Sequence, residues 1–280
     1  IVSKFAKNNN FKVIFGGQGG DEIFGGYARY QIAYLEQSLK GSIYGNNEAK
    51  QHIVSLETIT NHLYSLKNYT EMISNFWSQN LFGDMEERYF ALINRMNNFD
   101  NILSKEFTKQ FSKEEIFEKF KYLFNNSAKS YIKKMTNFDL NYALPALLQV
   151  EDRMSMSCSI ESRCPFLDFR IIDLVNQIPP RYQYKDGINK SFLINTFKNN
   201  IPPQIKNRND KMGFPVPLNI WFKNKDFKSF IMDKIFTKKV KETGILNMKN
   251  LEKNLEFSNH TNSRMLWGLL SLSIWIQNSY

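Results

Sequence analysis

The spacing of apolar residues changes once along the chain. Phe11-Lys12-Val13-Ile14-Phe15 is short, β-branched and aromatic, with glycines directly behind it. That pattern predicts a strand of the buried, parallel kind. Ile1 to Lys7 reads as the end of a helix stopped by Asn8-Asn9-Asn10. Beyond Gln31 strand signals become scarce and helical spacing takes over, across Glu48–Lys67, Met85–Asn97 and Lys113–Lys134. Leu140, Leu144, Leu147 and Leu148 fall at i, i+4, i+7 and i+8, which predicts one apolar helix face despite Pro145. Leu167, Ile171, Leu174, Val175 and Ile178 repeat that spacing, and Pro179-Pro180 end the helix. Lys190 to Lys198 reads as a further short helix. Ile201-Pro202-Pro203 and Gly213-Phe214-Pro215-Val216-Pro217 read as rigid loops, and Thr261 to Gln277 as a strongly apolar helix. With no internal repeat and no low-complexity linker, the expectation is one strand and loop of an α/β domain followed by a mostly helical remainder.

Composition narrows this picture. Of 280 residues, 42% are hydrophobic and 15% aromatic, which excludes a disordered or fibrous chain. The length suffices for one large domain or two small ones. The two cysteines, Cys158 and Cys164, exclude a disulfide framework and a four-cysteine zinc site, and read as buried small hydrophobes. His52, His62 and His260 show no metal-binding spacing, so any metal would be a hard cation on carboxylates. The net charge of +10 is densest from Lys223 to Lys241, with seven Lys and two Asp. That stretch lacks the interleaved aromatics and arginines of a nucleic-acid motif and reads as a solvated helix face. Met265 to Ile276 is too short to span a bilayer and reads as a buried helix. No signal segment is visible, so a cytoplasmic protein without membrane or nucleic-acid partners is expected. The chain opens on Ile1 in mid-helix, which suggests a truncated polypeptide.

Chemistry concentrates first in Gly16-Gly17-Gln18-Gly19-Gly20-Asp21-Glu22. A strand, a glycine loop and a helix start expose backbone N–H groups that can cradle phosphate oxygens. The run is neither a P-loop nor a dinucleotide fingerprint, since Glu22 stands where a third glycine belongs. A plain β–α connection whose acids favour the helix dipole explains it equally well. Asp21 is the residue that could hold Mg²⁺ near phosphates. A second cluster runs from Glu151-Asp152-Arg153-Met154-Ser155 to Glu161-Ser162-Arg163-Cys164-Pro165-Phe166-Leu167-Asp168, which by itself reads as a salt-bridged helix end and turn packed under the core. Arg163 and Glu161 are most simply structural partners. The third piece is Gly187-Ile188-Asn189-Lys190. A lysine opening a helix opposes the dipole, which a nearby anion would offset; a snorkelling surface lysine is the bland reading.

Together the runs are far more specific than any one alone. Gly17 to Tyr27, Asp152 to Asp168, the Lys190 helix and Lys211-x-Gly-Phe-Pro-x-Pro217 occur in an order that resembles the synthetase domain of glutamine-hydrolysing asparagine synthetases. The resemblance is strong at Phe11–Tyr30, Thr136–Asp168 and Gly187–Trp221 and weak from Gln31 to Met135. It implies an adenine-nucleotide-hydrolase-like fold, that of the pyrophosphate-loop ATPases, over the whole of residues 1–280 as a partial synthetase domain. It also implies an ATP-dependent ligase. The aspartate side chain attacks the α-phosphorus of ATP to give β-aspartyl-AMP and pyrophosphate. Ammonia, made from glutamine in an N-terminal glutaminase domain, then displaces AMP.

By the same resemblance the loop glycines Gly16, Gly17, Gly19 and Gly20 lie against ATP, and Asp21 is the Mg²⁺–pyrophosphate ligand. Lys190 offsets phosphate charge as pyrophosphate departs. Gln18 takes the position tied to adenylate formation and ammonia. Glu22, Arg153, Glu161, Arg163 and Asp168 are structural supports. Assembly as a homodimer stays open. The chain departs from the family in lacking the Ser-Gly-Gly-x-Asp-Ser loop and the N-terminal Cys, both of which belong upstream. It also has Gln18 where Glu is common and Gly16 where Ser or Thr is common. Gln cannot act as a base, so Gln18 is expected to position the adenylate through hydrogen bonds. The rival readings are a relative that adenylates another carboxylate, such as a β-lactam synthetase, and a non-catalytic nucleotide-binding homologue.

Overall fold

The structure, a computed structural model, describes residues 1–44, 66–67, 69–94, 101–110, 112–126, 128, 130–183, 188–206, 216–254 and 260–279. Most of the helix expected over Glu48–Lys67, together with His52, His62, Gly187, Lys211 and the Gly213–Pro215 part of the rigid loop, lies outside these residues. The chain divides into two units, residues 1–92 with 119–211 and residues 93–118 with 212–280.

In chain order the described elements begin with α1 (Val2–Asn8), β1 (Val13–Phe15), α2 (Gly20–Phe24), α3 (Ala28–Tyr44), α4 (Thr70–Trp77) and α5 (Met85–Ile93). Then come α6 (Lys105–Thr108), α7 (Lys113–Asn125), α8 (Tyr131–Phe138), a π-helical turn (Asp139–Ala143), α9 (Leu144–Met156), β2 (Glu161–Arg163), a 3₁₀ turn (Pro165–Leu167) and α10 (Phe169–Gln177). The remainder is α11 (Pro180–Gln183), α12 (Ser191–Thr196), α13 (Pro203–Lys206), α14 (Leu218–Trp221), α15 (Lys225–Ile235), α16 (Lys238–Glu242), α17 (Met248–Asn254) and α18 (His260–Ser279). The chain is thus mostly helical with a small parallel sheet.

That sheet corrects two expectations. β1 pairs in parallel with β2, with Ile14 opposite Ser162 and Phe15 opposite Arg163. A strand at Glu-Ser-Arg carries no β-forming sequence signal; the segment had read as a turn packed under the core. Nor is β1 buried on both faces, since Phe15 is 72% exposed. Among the described residues it has one neighbouring strand.

The first unit is held together largely by aromatic side chains. Tyr89 stacks on Phe124 at 5.4 Å between ring centres, and Phe120 meets Phe138 edge-on at 4.9 Å. α3 contributes fully buried Tyr30 and Ile32. The helix expected over Lys113–Lys134 breaks after Asn125, and α8 restarts at Tyr131 because Ser130 Oγ accepts the Lys133 N–H. The apolar face expected from Leu140 to Leu148 is also interrupted. Leu144 is buried but Leu147 is 54% exposed. The π-helical turn at Asp139–Ala143 inserts an extra residue per turn and rotates everything after it. Pro145 then sits in the first turn of α9, where its missing N–H costs nothing.

In the second unit α18 buries Leu266, Leu269, Leu270 and Ile276 against Phe222, Ile231, Ile235 and Val240. The lysine-rich stretch forms α15 and α16, capped by Asn224 and Thr237, with Ile231, Ile235 and Val240 turned inward. Lys238 is exposed in that stretch, as a solvated face requires. Among the described residues no helix is long and apolar enough to cross a membrane.

Candidate active site

All of the candidate residues lie in the first unit. Gly16 still belongs to the strand pairing, because its N–H donates to the Arg163 carbonyl at 2.8 Å. Gly19 adopts φ +86°, the left-handed region, and a Cβ there would collide with the Leu167 side chain. Gly20 lies under Phe166. Gly17 differs. It is exposed, its φ is ordinary, and a Cβ would meet nothing within 4 Å. Among the described residues nothing requires glycine at residue 17.

Gln18 has a partner from outside the loop. It folds back over Gly16, and the Cys164 Sγ donates to its Oε1 at 3.6 Å. Cys164 and Cys158 are free and half-buried, rather than buried as the sequence implied.

Asp21, on the first turn of α2, forms an ion pair with Lys190, Nζ to Oδ1 at 2.9 Å. The two come together across Gly26, where a Cβ would overlap both Asp21 Oδ1 and Lys190 Cε. Lys190 does not lie within a helix. It is the N-cap of α12, with φ 57°, a left-handed conformation unusual for a non-glycine residue. Below it, buried Ser191 donates to the Gln183 carbonyl at 2.7 Å, and the Gln183 Nε2 donates to the Val175 carbonyl at 2.9 Å. Lys133 Nζ donates to that same carbonyl at 2.9 Å, and burial pushes its pKa down to about 8. The Lys190 backbone is therefore fixed from beneath by α10 and α11.

Glu22 turns away from this pair into the core. The Tyr27 hydroxyl donates to its Oε1 at 2.5 Å. Burial, joined by the hydrogen bond to Glu22 and its charge, raises the Tyr27 phenol well above its ordinary pKa and keeps it a donor. The Arg29 guanidinium lies 3.8 Å over the Tyr27 ring and pairs with buried Asp139 at 2.5 Å. Asp139 also accepts the hydroxyls of Tyr89, at 2.6 Å, and of Tyr30. The sequence reading passed over Arg29 and Asp139. Arg29 falls two residues after a quoted motif, but no local pattern marks Asp139, whose partners come from residues 29, 30 and 89.

The remaining candidates make contacts of their own. Glu161 and Arg163 pair at 2.8 Å on the exposed face of β2. Asp168 caps α10, accepting the Arg170 N–H at 2.9 Å. The Arg170 side-chain hydrogen bond, and then that backbone N–H, hold the Asp168 carboxyl down to about 2. Arg153 is exposed on α9. Glu151 accepts a hydrogen bond from Ser162 Oγ at 2.9 Å.

The model of the asparagine synthase family matches residues 1–277. The chain belongs to the asparagine synthase family. It is 26% identical, over 98% of its own length, to asparagine synthetase [glutamine-hydrolyzing] 1 of Bacillus subtilis, and spans 42% of that relative. A shorter stretch, 19% of the chain, is 37% identical to a putative asparagine synthetase [glutamine-hydrolyzing] 1 of Methanocaldococcus jannaschii and spans 9% of it. The chain thus covers less than half the length of these curated relatives.

Among the described residues of this asparagine synthase family member, no three His, Cys, Asp or Glu side chains converge to hold a metal. Asp21, whose Oδ1 meets Lys190, is the carboxylate at this site that could hold a magnesium ion. Mg²⁺ is commonly bound through one or two carboxylates, with substrate phosphates and water completing the shell.

Proposed function

We propose that these residues form the synthetase part of an asparagine synthetase, an ATP-dependent amide-forming ligase on an adenine-nucleotide-hydrolase-like fold. Gly17 carries the reading. Among the described residues the loop has a glycine with no internal steric or conformational need, beside a partly exposed carboxylate–ammonium pair. A substrate phosphate approaching the backbone gives that glycine a reason, since a Cβ would block close approach.

In this reading the aspartate side chain attacks the α-phosphorus of ATP, pyrophosphate leaves, and ammonia displaces AMP from β-aspartyl-AMP. The exposed Gly17 N–H and its neighbours face the phosphates. A Mg²⁺ ion on Asp21 would screen phosphate charge. Lys190, beside Asp21, opposes charge as it develops on the departing pyrophosphate. Its left-handed backbone and the hydrogen bonds beneath it fix the point from which the side chain extends. Gln18 orients the adenylate without taking a proton. The name of the Bacillus subtilis relative, and the small part of it that is matched, support glutamine-derived ammonia from a further domain.

The test is aspartate-dependent exchange between ATP and labelled pyrophosphate, measured on the full polypeptide carrying these residues. Exchange that needs aspartate supports the reading. Exchange with a different carboxylic acid makes the protein a relative of other specificity. No exchange with any acid, by a folded protein, overturns ligase function.

A further inference from the structure

The two departures from the family pattern at residues 16 and 18 meet at a third residue. Gln18 folds back so that its Oε1 occupies the space a Cβ on residue 16 would fill. This pose exists only because residue 16 is glycine; serine or threonine there would force the carboxamide out. Its oxygen is received by the Cys164 thiol, 3.6 Å away. Cys164 reaches that place through the sheet. It follows Arg163, the last residue of β2, whose carbonyl accepts the Gly16 N–H. The thiol and the loop are thus set against each other by backbone pairing.

We propose that Cys164 is a positioning residue for Gln18: with Gly16 giving the room, the thiol latches the carboxamide oxygen against β2 and so reserves the two amide N–H donors for the substrate. Burial first, and the Glu151 charge second, raise the Cys164 pKa. The sulfur therefore stays a thiol and donates, which fixes which end of the carboxamide it meets. A protonated, half-buried thiol is also a poor nucleophile, so Cys164 is suited to this role and not to covalent chemistry. The inference rests on the reading above that this loop borders the nucleotide and the acid.

The latch is measured by alkylation, independently of activity. In the full polypeptide, Cys158→Ser, with removal of any cysteine outside these residues, leaves Cys164 as the reporter. Iodoacetamide should label it about threefold faster or more in Gln18→Ala, and also in Gly16→Ala, where the new methyl group displaces Gln18. Unchanged labelling in both, with the folded state confirmed by circular dichroism, overturns the latch. The functional half is read in pyrophosphate exchange. Cys164→Ala should raise the KM for aspartate about fivefold or more while kcat changes less, because an unfixed amide binds poorly before it affects the chemistry. Cys164→Ser, which keeps a donor, should restore KM. If labelling responds as expected but KM does not move in Cys164→Ala, the latch stands and the placement of Gln18 at the substrate is overturned.

Discussion

Two ion pairs in the first unit use similar chemistry to opposite ends. Arg88 and Glu36 are 2% and 1% exposed; Lys190 and Asp21 are 34% and 29% exposed. Arg88 meets Glu36 through two bonds of 2.7 and 2.6 Å, and also donates to the Phe76 carbonyl at 2.8 Å and to the Gln79 carbonyl. Its guanidinium lies 3.6 Å from the Phe76 ring centre, and Glu36 accepts a further bond from the Phe82 N–H. That pair is saturated, so it can only tie α3 to α5. Lys190 and Asp21 instead meet over Gly26 and stay partly exposed. An ion pair of this exposure contributes little to stability and stays within reach of a ligand. The contrast is one of burial, a closed pair that ties two helices together against an accessible pair at the proposed site.

The largest effect that would sharpen the contrast comes from Arg88→Met. It strands Glu36 in the core and should destabilise the fold by about 3–5 kcal/mol, seen in urea unfolding. A loss under about 1 kcal/mol would show that water reaches the site and that the distinction fails. Lys190→Ala should do the reverse. It should lower pyrophosphate exchange about 10²-fold or more, the scale of losing one preorganised charge-stabilising group. Its unfolding free energy should stay within about 1 kcal/mol of the parent. A collapse in stability with normal exchange per folded molecule would make Lys190 a second Arg88.

Gly26→Ala tests the glycine between the partners. Its methyl group overlaps both Asp21 and Lys190, so the pair must separate. Exchange should fall about tenfold, a fraction of what outright misplacement of a catalytic group can cost. Exchange equal to the parent would show that the pairing has no part in the site.

The smallest expected effect is a slope. Lys133 has its pKa lowered by burial to about 8, against 10.5 when unperturbed. Between these values the unfolded chain binds more protons, so stability should rise as pH increases from about 8 to 10. Lys133→Met should flatten that rise in a series of melting temperatures. An identical slope in the variant would place the charged lysine in water.

Several features were legible in the sequence because they depend on neighbours in the chain. Phe11–Phe15 contains the strand, the glycines stop it, and Pro179-Pro180 end α10 after Gln177. The lysines from 223 to 241 decorate helices whose apolar positions turn inward. Gly19 as a left-handed helix start is equally local. The loop, Asp21 and Lys190 could be named as candidates because local motifs flank each.

Other features belong to the tertiary structure. β2 forms at Glu-Ser-Arg only because β1 offers it an edge; local propensity alone would not choose it. The π-helical turn that exposes Leu147 begins at Asp139, whose carboxylate is held by Arg29, Tyr30 and Tyr89 from other helices. Gln18 meets Cys164 from 146 positions away, a partner that no local spacing announces. The sequence by itself determined where chain geometry must bend, cap or stop, since those are contests among a few adjacent residues. Which carboxylates are buried, which stay partly exposed and where the Gln18 amide is anchored were decided by long-range packing, because burial and hydrogen-bond partners depend on residues that no local spacing brings together.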